Sequence, residues 1–475
     1  MDTQATKAEI NSLNEFQKNL HFPSYDNEPL LSKFHRAYIK TTWYCSTLLP
    51  LKSTDEGEDV IYAINPTFHY LMYTYLRFVL PPIKVKAEFI DKIKICWCHN
   101  VGTNIIKNAS FKEDDRDYQS FDSIWTDDYF QYFMLPGAGK RRNHRIGIGN
   151  IDILEDWTTV LPYYPINVDQ PWYYGEDTAS AFPILYRNSQ NRAEHRYTFR
   201  RKIADLLRMQ ILDNKTNQWV SVNPAKHMTK LDYGRYITVQ KPTLWGQYAY
   251  ITDKEIETHK CSAKPKEIYI KDVEICDSEN ENSFGTKSVI TLHCKNPCLA
   301  IFWKAQNMDA EELNNHSNYT SNSEDLYRGW DPISKMTLRY GTTNKLNNMD
   351  SDHFNIGESR KHFPSSPNEA GYHAYSFAWN SSNYHGEPGV VLCNLNASLI
   401  CNISDNDIYN MSYQSDIHLN SDVENESLDH DLLRLIEPKV KTKGPKFITR
   451  VRLLVLKKLT IQKDDDNKNF KFTLL

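Results

Sequence analysis

The stretch LPGAGKRRNHRIGIGN, residues 135–150, is the first place to look for chemistry, because glycines followed by a lysine are how a phosphate loop cradles its ligand. A Walker loop requires glycine where Met134 stands and serine or threonine where Arg141 stands, so the match fails. Gly147 and Gly149 lack the third glycine and the strand-to-helix setting of a dinucleotide site. The cations Lys140, Arg141, Arg142, His144 and Arg145 can meet nucleic acid or an acidic neighbour, but such a cluster reads first as a solvated loop. Cys96, Cys98 and His99, and the pair Cys294 and Cys298, come nearest to a metal set. Neither has a second pair at zinc spacing, and on a strand Cys96 and Cys98 supply at most two ligands from one face, so core thiols are the better reading. No G-x-S-x-G elbow occurs, and the 16 histidines have no fixed partners. Trp172, Tyr173 and Tyr174 offer either a sugar platform or part of a buried core, the commoner fate. The expectation is therefore no catalytic residue, no cofactor and no metal.

The elements that would carry these residues are strands. Aromatics are abundant, with 29 Tyr and 20 Phe, and Pro exceeds Gly by 21 to 17, which favours strands and fixed turns over helices. Ile83, Val85, Ala87 and Phe89 alternate with Lys84, Lys86 and Glu88, and the alternation runs on through Ile93, Ile95 and Trp97, as in a sheet with one wet face. Further strands are expected at 163–174, 196–200 and 245–251, while 199–211 fits either an amphipathic helix or a strand with its turn. After residue 260 the pattern restarts, with strands expected at 268–270, 273–275, 289–294, 299–303, 336–340, 372–379, 390–400 and 448–461. About eight short strands without intervening helices predict an antiparallel sandwich.

A chain of 475 residues exceeds what one core normally serves, so two domains are expected, with a boundary near 255–265. Residues 1–30 are polar, are broken by Pro23 and Pro29, and read as an arm. Two connections are long and hydrophilic: 307–334, expected to project outward or clasp a neighbour, and 404–443, which carries the acidic run DVENESLDHDLL. With 56 basic and 60 acidic residues the net charge is -4, against a main task of coating nucleic acid or anionic membrane. The N-terminus has no apolar stretch of signal length, and the greasiest segment, 68–82, is interrupted by Arg77 and too short to span a bilayer. The nine scattered cysteines suggest reduced thiols. Nine N-x-S/T sequons, at Asn108, Asn214, Asn315, Asn318, Asn380, Asn396, Asn402, Asn410 and Asn425, are the kind that Asn- and Ser-rich loops produce by chance.

Ordered blocks along the chain resemble the major capsid protein family of nucleocytoplasmic large DNA viruses. They are WCHNVGTNIIKNAS at 97–110, QPWYYGEDTASAFPILY at 170–186, WGQYAYITDKE at 245–255, CKNPCLAIFWKAQ at 294–306, and GYHAYSFAWNSSNYHGEPGVVLCNLNAS at 371–398, with the apolar strand at 451–461 in the place of the family's last. Tyr375-Ser376-Phe377-Ala378 is the most specific of these matches. Gly386-Glu387-Pro388-Gly389 departs from the family's Gln-Pro-Ser-Gly turn, and Leu399 stands where an arginine commonly follows Asn-x-Ser, marking a divergent member.

The resemblance implies an all-β fold of two consecutive eight-stranded antiparallel jelly-roll sandwiches with long loop insertions: an arm at 1–30, a first roll at 31–260 and a second at 261–475. It implies a structural capsid protein, not an enzyme, whose homotrimers form pseudo-hexagonal capsomers that tile an icosahedral shell. The implied partners are the chain itself, neighbouring capsomers, and minor capsid or inner-membrane proteins reached through the arm, with no specific nucleic acid and no transmembrane segment. The implied place is the virion capsid, assembled in the host cytoplasm. The rival expectations are a capsid-like scaffold for virion assembly, marked by its absence from mature particles, and a double-sandwich glycan-acting enzyme or carbohydrate-binding protein, marked by carboxylates converging in a groove or by exposed aromatics in a row.

Overall fold

The structure is a computed structural model that describes residues 44–56, 59–114, 116–134, 143, 145–149, 151–175, 180–187, 192–213, 216–234, 236–261, 266–378, 395–404, 445–463 and 470–474. Two compact units are distinguished, Met1–Thr47 with Ala249–Ser262, and Leu48–Tyr248 with Ala263–Leu475. The described part of the smaller unit is the beginning of one strand, the end of another and the helix Asp253–Cys261.

Eight strands build the first roll: β1 (Tyr44–Pro50), β2 (Asp59–Ala63), β3 (Tyr70–Leu80), β4 (Ile106–Glu113), β5 (Arg116–Asp122), β6 (Tyr164–Asp169), β7 (Ala193–Phe199) and β8 (Thr243–Ile251). They form two sheets, β1-β8-β3-β6 and β2-β7-β4-β5, with the short strand Lys52–Glu56 added outside β2. Eight more follow: β9 (Lys266–Ile275), β10 (Lys287–Cys294), β11 (Cys298–Asn307), β12 (Ile333–Tyr340), β13 (Thr343–Asp350), β14 (His373–Ser376), β15 (Leu395–Ile403) and β16 (Phe447–Lys463). Their sheets are β9-β16-β11-β14 and β10-β15-β12-β13. Counting from one to eight in each half, both have the order 1-8-3-6 and 2-7-4-5. This is the jelly roll, in which four nested antiparallel pairs wrap around one core, and the chain contains it twice.

Alternation decides which residues enter each core. In β7 every second residue from Ala193 to Phe199 is buried, and in β10 Ser288, Ile290, Leu292 and Cys294 point inward while the residues between them stay wet. β11 breaks this rule, with every residue buried. Its Ile301, Trp303 and Ala305 belong to the core of the second roll, whereas Leu299, Ala300 and Phe302 join the core of the first. The sheet β9-β16-β11-β14 therefore covers its own sandwich with one face and packs on the first roll with the other, and Ile270, Val273, Leu454 and Leu459 take the same side as Phe302. Each such side chain removed from water contributes about 1.5–3 kcal/mol.

Local outcomes differ from the sequence reading in three places and decide an open alternative in a fourth. The alternation from Ile83 to Trp97 is not one strand: Ile83–Val85 and Ile93–Trp97 are separated by the 3-10 turn Ala87–Phe89 and belong to different small sheets. The segment 199–211 resolves as a strand end, the 3-10 turn Ile203–Asp205 and the strand Leu207–Leu212. The strand expected at 163–174 stops at Asp169, and Tyr173–Gly175 is a 3-10 turn. A helix that was not anticipated, Ser123–Tyr132, starts at Asp122, whose carboxylate accepts the N–H of Trp125 at 2.9 Å.

Antiparallel pairing sends successive connections to alternate ends of each roll. In the first roll, 81–105, 123–163 and 200–242 leave one end, while 64–69, 114–115 and 170–192 leave the other. In the second, 276–286, 308–332, 351–372 and 404–446 oppose 295–297, 341–342 and 377–394. The long insertions are thus concentrated at one end of each sandwich.

Candidate functional site

The chemically dense region of the described chain is the seam between the rolls. Lys304, on β11, is wholly buried on the face turned to the first roll. Its ammonium pairs with Asp128 of the helix Ser123–Tyr132 at 2.7 Å, donates to the carbonyl of Ile124 at 3.1 Å, and lies 4.4 Å and 4.6 Å from the ring centroids of Tyr319 and Tyr372. Neighbouring Asp127 accepts from Thr103 Oγ1 at 2.7 Å and from the Tyr319 hydroxyl at 3.0 Å. Burial pushes the Asp128 carboxyl up to about 6, although Lys304 opposes the shift, and burial raises Asp127 as well.

Two further ion groups cross the seam. Arg452, on β16, is 1 % exposed; it pairs with Asp122 of the first roll at 2.6 Å and with Asp277, which also takes Arg450 at 2.9 Å. Burial works against the charge on Arg452, but Asp122 and Asp277 outweigh it, so the guanidinium is held more firmly than usual. His99 lies between Glu155 of the first roll and Glu369 of the second, each 2.9 Å away. Burial alone would lower its pKa, yet the two carboxylates raise it well above the ordinary histidine value, so both ring nitrogens donate.

The connection at 307–334, expected to project outward or clasp a neighbour, packs on its own chain. Residues 315–320 are buried, and the loop folds down on the first roll of its own chain. Asn314 Nδ2 donates to the carbonyls of Ala204 at 2.5 Å and Leu207 at 2.8 Å, His316 Nε2 to that of Asp205 at 2.8 Å, and Asn104 Nδ2 to Ser317 Oγ at 2.6 Å. Farther along, Tyr327 and Trp330 stay wet, 58 % and 50 % exposed.

A polar cleft of about 290 Å³ opens beside these contacts, lined by Lys107, Arg200, Glu311 and His316 together with Arg450 and Arg452. Its acids are already engaged: Asp122 by Arg452, Asp277 by both arginines, and Glu311 by His316 at 2.9 Å. Asp127 and Asp128 are a true carboxylate pair, but they are enclosed and neutralised from within, which is not the open groove that sugar cleavage needs.

The residues singled out in the sequence are mostly interior. Trp172, Tyr173 and Tyr174 are fully buried; Trp172 Nε1 donates to the Tyr197 hydroxyl at 3.1 Å, and the Tyr174 hydroxyl is 3.0 Å from His195 Nε2. The sugar-platform reading therefore falls. Cys96 and Cys98 are buried thiols, and burial pushes Cys96 up to about 12. Among the described residues no three of His, Cys, Asp or Glu are grouped to hold a metal. Gly147 and Gly149 adopt φ of +72° and +80°, and the Gly147 carbonyl accepts the N–H of Gly102 at 2.9 Å, so these glycines shape a turn. Arg145 is exposed, while Lys140, Arg141, Arg142 and His144 lie outside the described residues, as does nearly all of 404–443. The seam groups escaped the sequence reading, although charges inside apolar runs, in WTDDYF, AIFWKAQ and VRLLV, were the available signal.

Comparison with known proteins agrees with this architecture. The sequence profile of the large eukaryotic DNA virus major capsid proteins matches residues 257–424. The major capsid protein of Invertebrate iridescent virus 6 is 26% identical over 380 residues, covering 74% of this chain and 79% of that one. That of Lymphocystis disease virus 1 is 25% identical over 376 residues, covering 75% and 79%. Among solved structures, the PBCV-1 virus capsid aligns with a TM-score of 0.61 at 11% identity, covering 89% of this chain and 96% of that one. The Faustovirus major capsid protein aligns with a TM-score of 0.61 at 7% identity, covering 96% and 98%. These structural likenesses bear on the fold, a double jelly roll, and the sequence relatives span both rolls.

Proposed function

We infer that the chain is a structural major capsid protein of the large eukaryotic DNA virus type, a component of the virion shell and not an enzyme. The observation that carries this is one strand order, 1-8-3-6 with 2-7-4-5, present twice in a chain whose relatives along both copies are major capsid proteins.

The finer reading is a homotrimer. Two sandwiches per chain, repeated around a threefold axis, present six similar walls, so the outline is nearly hexagonal and tiles a shell with little empty space. The fused seam supports this, because a tile transmits load only if its two halves cannot hinge. We assign residues 1–30 to an arm that binds minor capsid or inner-membrane proteins, 31–260 to the first roll and 261–475 to the second, and we place assembly in the host cytoplasm. The net charge of -4 accords with a shell that makes no specific nucleic-acid contact.

Negative-stain electron microscopy and light scattering of the purified chain test the trimer. The expected result is hexagon-outlined particles with the mass of three 55.5 kDa chains. A stable monomer at micromolar concentration would overturn it. An obligate interface of the size such a ring needs, on the order of 2,000 Å² or more, does not leave monomers in solution.

A further inference from the structure

Lys304 and Asp128 meet in surroundings unlike those of an ordinary ion pair. Both are enclosed in the seam, Lys304 wholly buried and Asp128 1 % exposed, and the nitrogen lies 2.7 Å from one carboxyl oxygen. Neither oxygen of Asp128 accepts a well-directed hydrogen bond, so the ammonium is held by charge and contact and is able to swing toward the carboxyl carbon. The rings of Tyr319 and Tyr372 roof the nitrogen, and Asp127, adjacent on the helix, is fixed by Thr103 Oγ1 and the Tyr319 hydroxyl. Burial raises both carboxyls, which favours the neutral acid at Asp128. An amine touching a carboxyl, a second carboxyl able to carry a proton, and an enclosure of aromatic rings that keeps water out are together what an amide-forming condensation needs.

We propose that Lys304 and Asp128 condense into an intrachain isopeptide bond that joins the two rolls covalently across the seam. The ion pair of the newly folded chain is the precursor, and until the bond closes the two groups titrate freely. A proton passes from Lys304 Nζ to the Asp128 carboxylate, leaving a neutral amine and a neutral acid. The nitrogen lone pair attacks Asp128 Cγ and forms the C–N bond. Asp127 takes a proton from the nitrogen and returns it to the hydroxyl on Cγ, the C–O bond breaks, and one water leaves. Nothing is oxidised or reduced, and Asp127 ends as it began. Two effects favour closure: fixed geometry replaces a chance encounter, and the neutral amide removes two buried charges whose desolvation is costly. Lys457 and Asp272 form the contrasting pair. They also meet at 2.5 Å, but Lys457 is partly exposed, so water solvates the ions and the pair stays ionic.

The test measures the intact mass of the purified full chain in denaturing solvent, fresh and after prolonged incubation at mildly acidic, neutral and mildly basic pH, and then maps its tryptic peptides. The expected result is a mass lower by one water and a branched peptide in which residues 117–140 are joined to 296–328, because trypsin does not cut after an acylated lysine. Lys304→Arg, which keeps the charge but not the nucleophilic amine, should show neither signal. Asp127→Asn keeps both reacting groups and should slow the loss of water by about 100-fold or more. The parent measurement needs no variant to fold. A parent chain that keeps its full sequence mass under every condition would overturn the proposal, as would a loss of water confined to one linear peptide, which is what a succinimide gives. Equal rates in the parent and Asp127→Asn would overturn the part given to Asp127.

Discussion

An ammonium group removed from water must be held by its surroundings, and Lys304 is held by Asp128, a carbonyl and two aromatic faces. Lys304→Met keeps most of the volume but leaves two buried carboxylates without their cation. It should cost about 3–5 kcal/mol in urea unfolding at pH 8, and less at pH 5, where Asp128 takes up a proton. An equal loss at both values would count against this account. Three groups contribute to the pH dependence of the parent protein with a definite sign. Asp128 has a folded pKa raised to about 6, so its contribution is most favourable at low pH and declines as pH rises toward 6. His195 is buried beside Phe111 and lowered to about 3, so it favours the fold above its unfolded value near 6.5, and that support is lost as pH falls toward 3. His99 is raised, so its support is complete below about 6.5 and is lost as pH climbs through its higher folded value. Acidification from about 6.5 toward 3 therefore removes the support of His195. His195→Phe should therefore move the acid-unfolding midpoint, followed by tyrosine fluorescence, to lower pH. The Tyr174 hydroxyl retains Thr74 at 3.0 Å as its partner in that variant.

The helix Ser123–Tyr132 and the loop after β11 are the elements that join the rolls, and each depends on backbone geometry as well as on charge. Gly371 has φ of +87°, and a Cβ placed there would lie 2.3 Å from the Tyr319 carbonyl oxygen, in the loop whose tyrosine covers Lys304. Gly371→Ala should thus lower stability by roughly 2 kcal/mol or more, from steric overlap together with the left-handed backbone. A melting temperature equal to the parent's would show that the loop yields freely. The same loop decides two sequons. Asn315 and Asn318 are buried, and the Asn318 amide donates to the carbonyl of Asn322 at 2.7 Å, so neither side chain can accept a glycan in the folded protein. Intact-peptide mass spectrometry of protein made in a glycosylating host should find both unmodified.

On the scale of the whole chain, the outer face of the second roll's sheet and the core of the first form one apolar cluster, pinned at its margin by Arg452. The rolls should therefore unfold together. Scanning calorimetry is expected to show a single transition for the parent protein. Arg452→Met, which strips Asp122 and Asp277 of their shared cation, should lower that transition or split it in two. Two well-separated transitions in the parent would mean that the seam contributes little. Concentration of the long insertions at one end of each sandwich lets loop sequences diverge without touching the strands that close the cores, which accords with relatives only 25–26% identical over three quarters of the chain.

Local alternation and turn chemistry were enough to read sandwiches and most strands of the second roll, because a half-wet strand writes its burial into every second residue. The ordered motif blocks carried the resemblance to the major capsid proteins. The seam was not legible. β11 reads as one apolar run interrupted by a lysine, and nothing in the run states that its second face meets another sandwich rather than water. Lys304 meets Asp128, Arg452 meets Asp122 and His99 meets Glu369 only when the two consecutive rolls close on each other and bring together residues far apart along the chain. The direction of the loop after β11 was likewise settled there: a polar segment of amides and hydroxyls suits solvent equally well until backbone carbonyls such as those of Ala204 and Leu207 are brought within its reach.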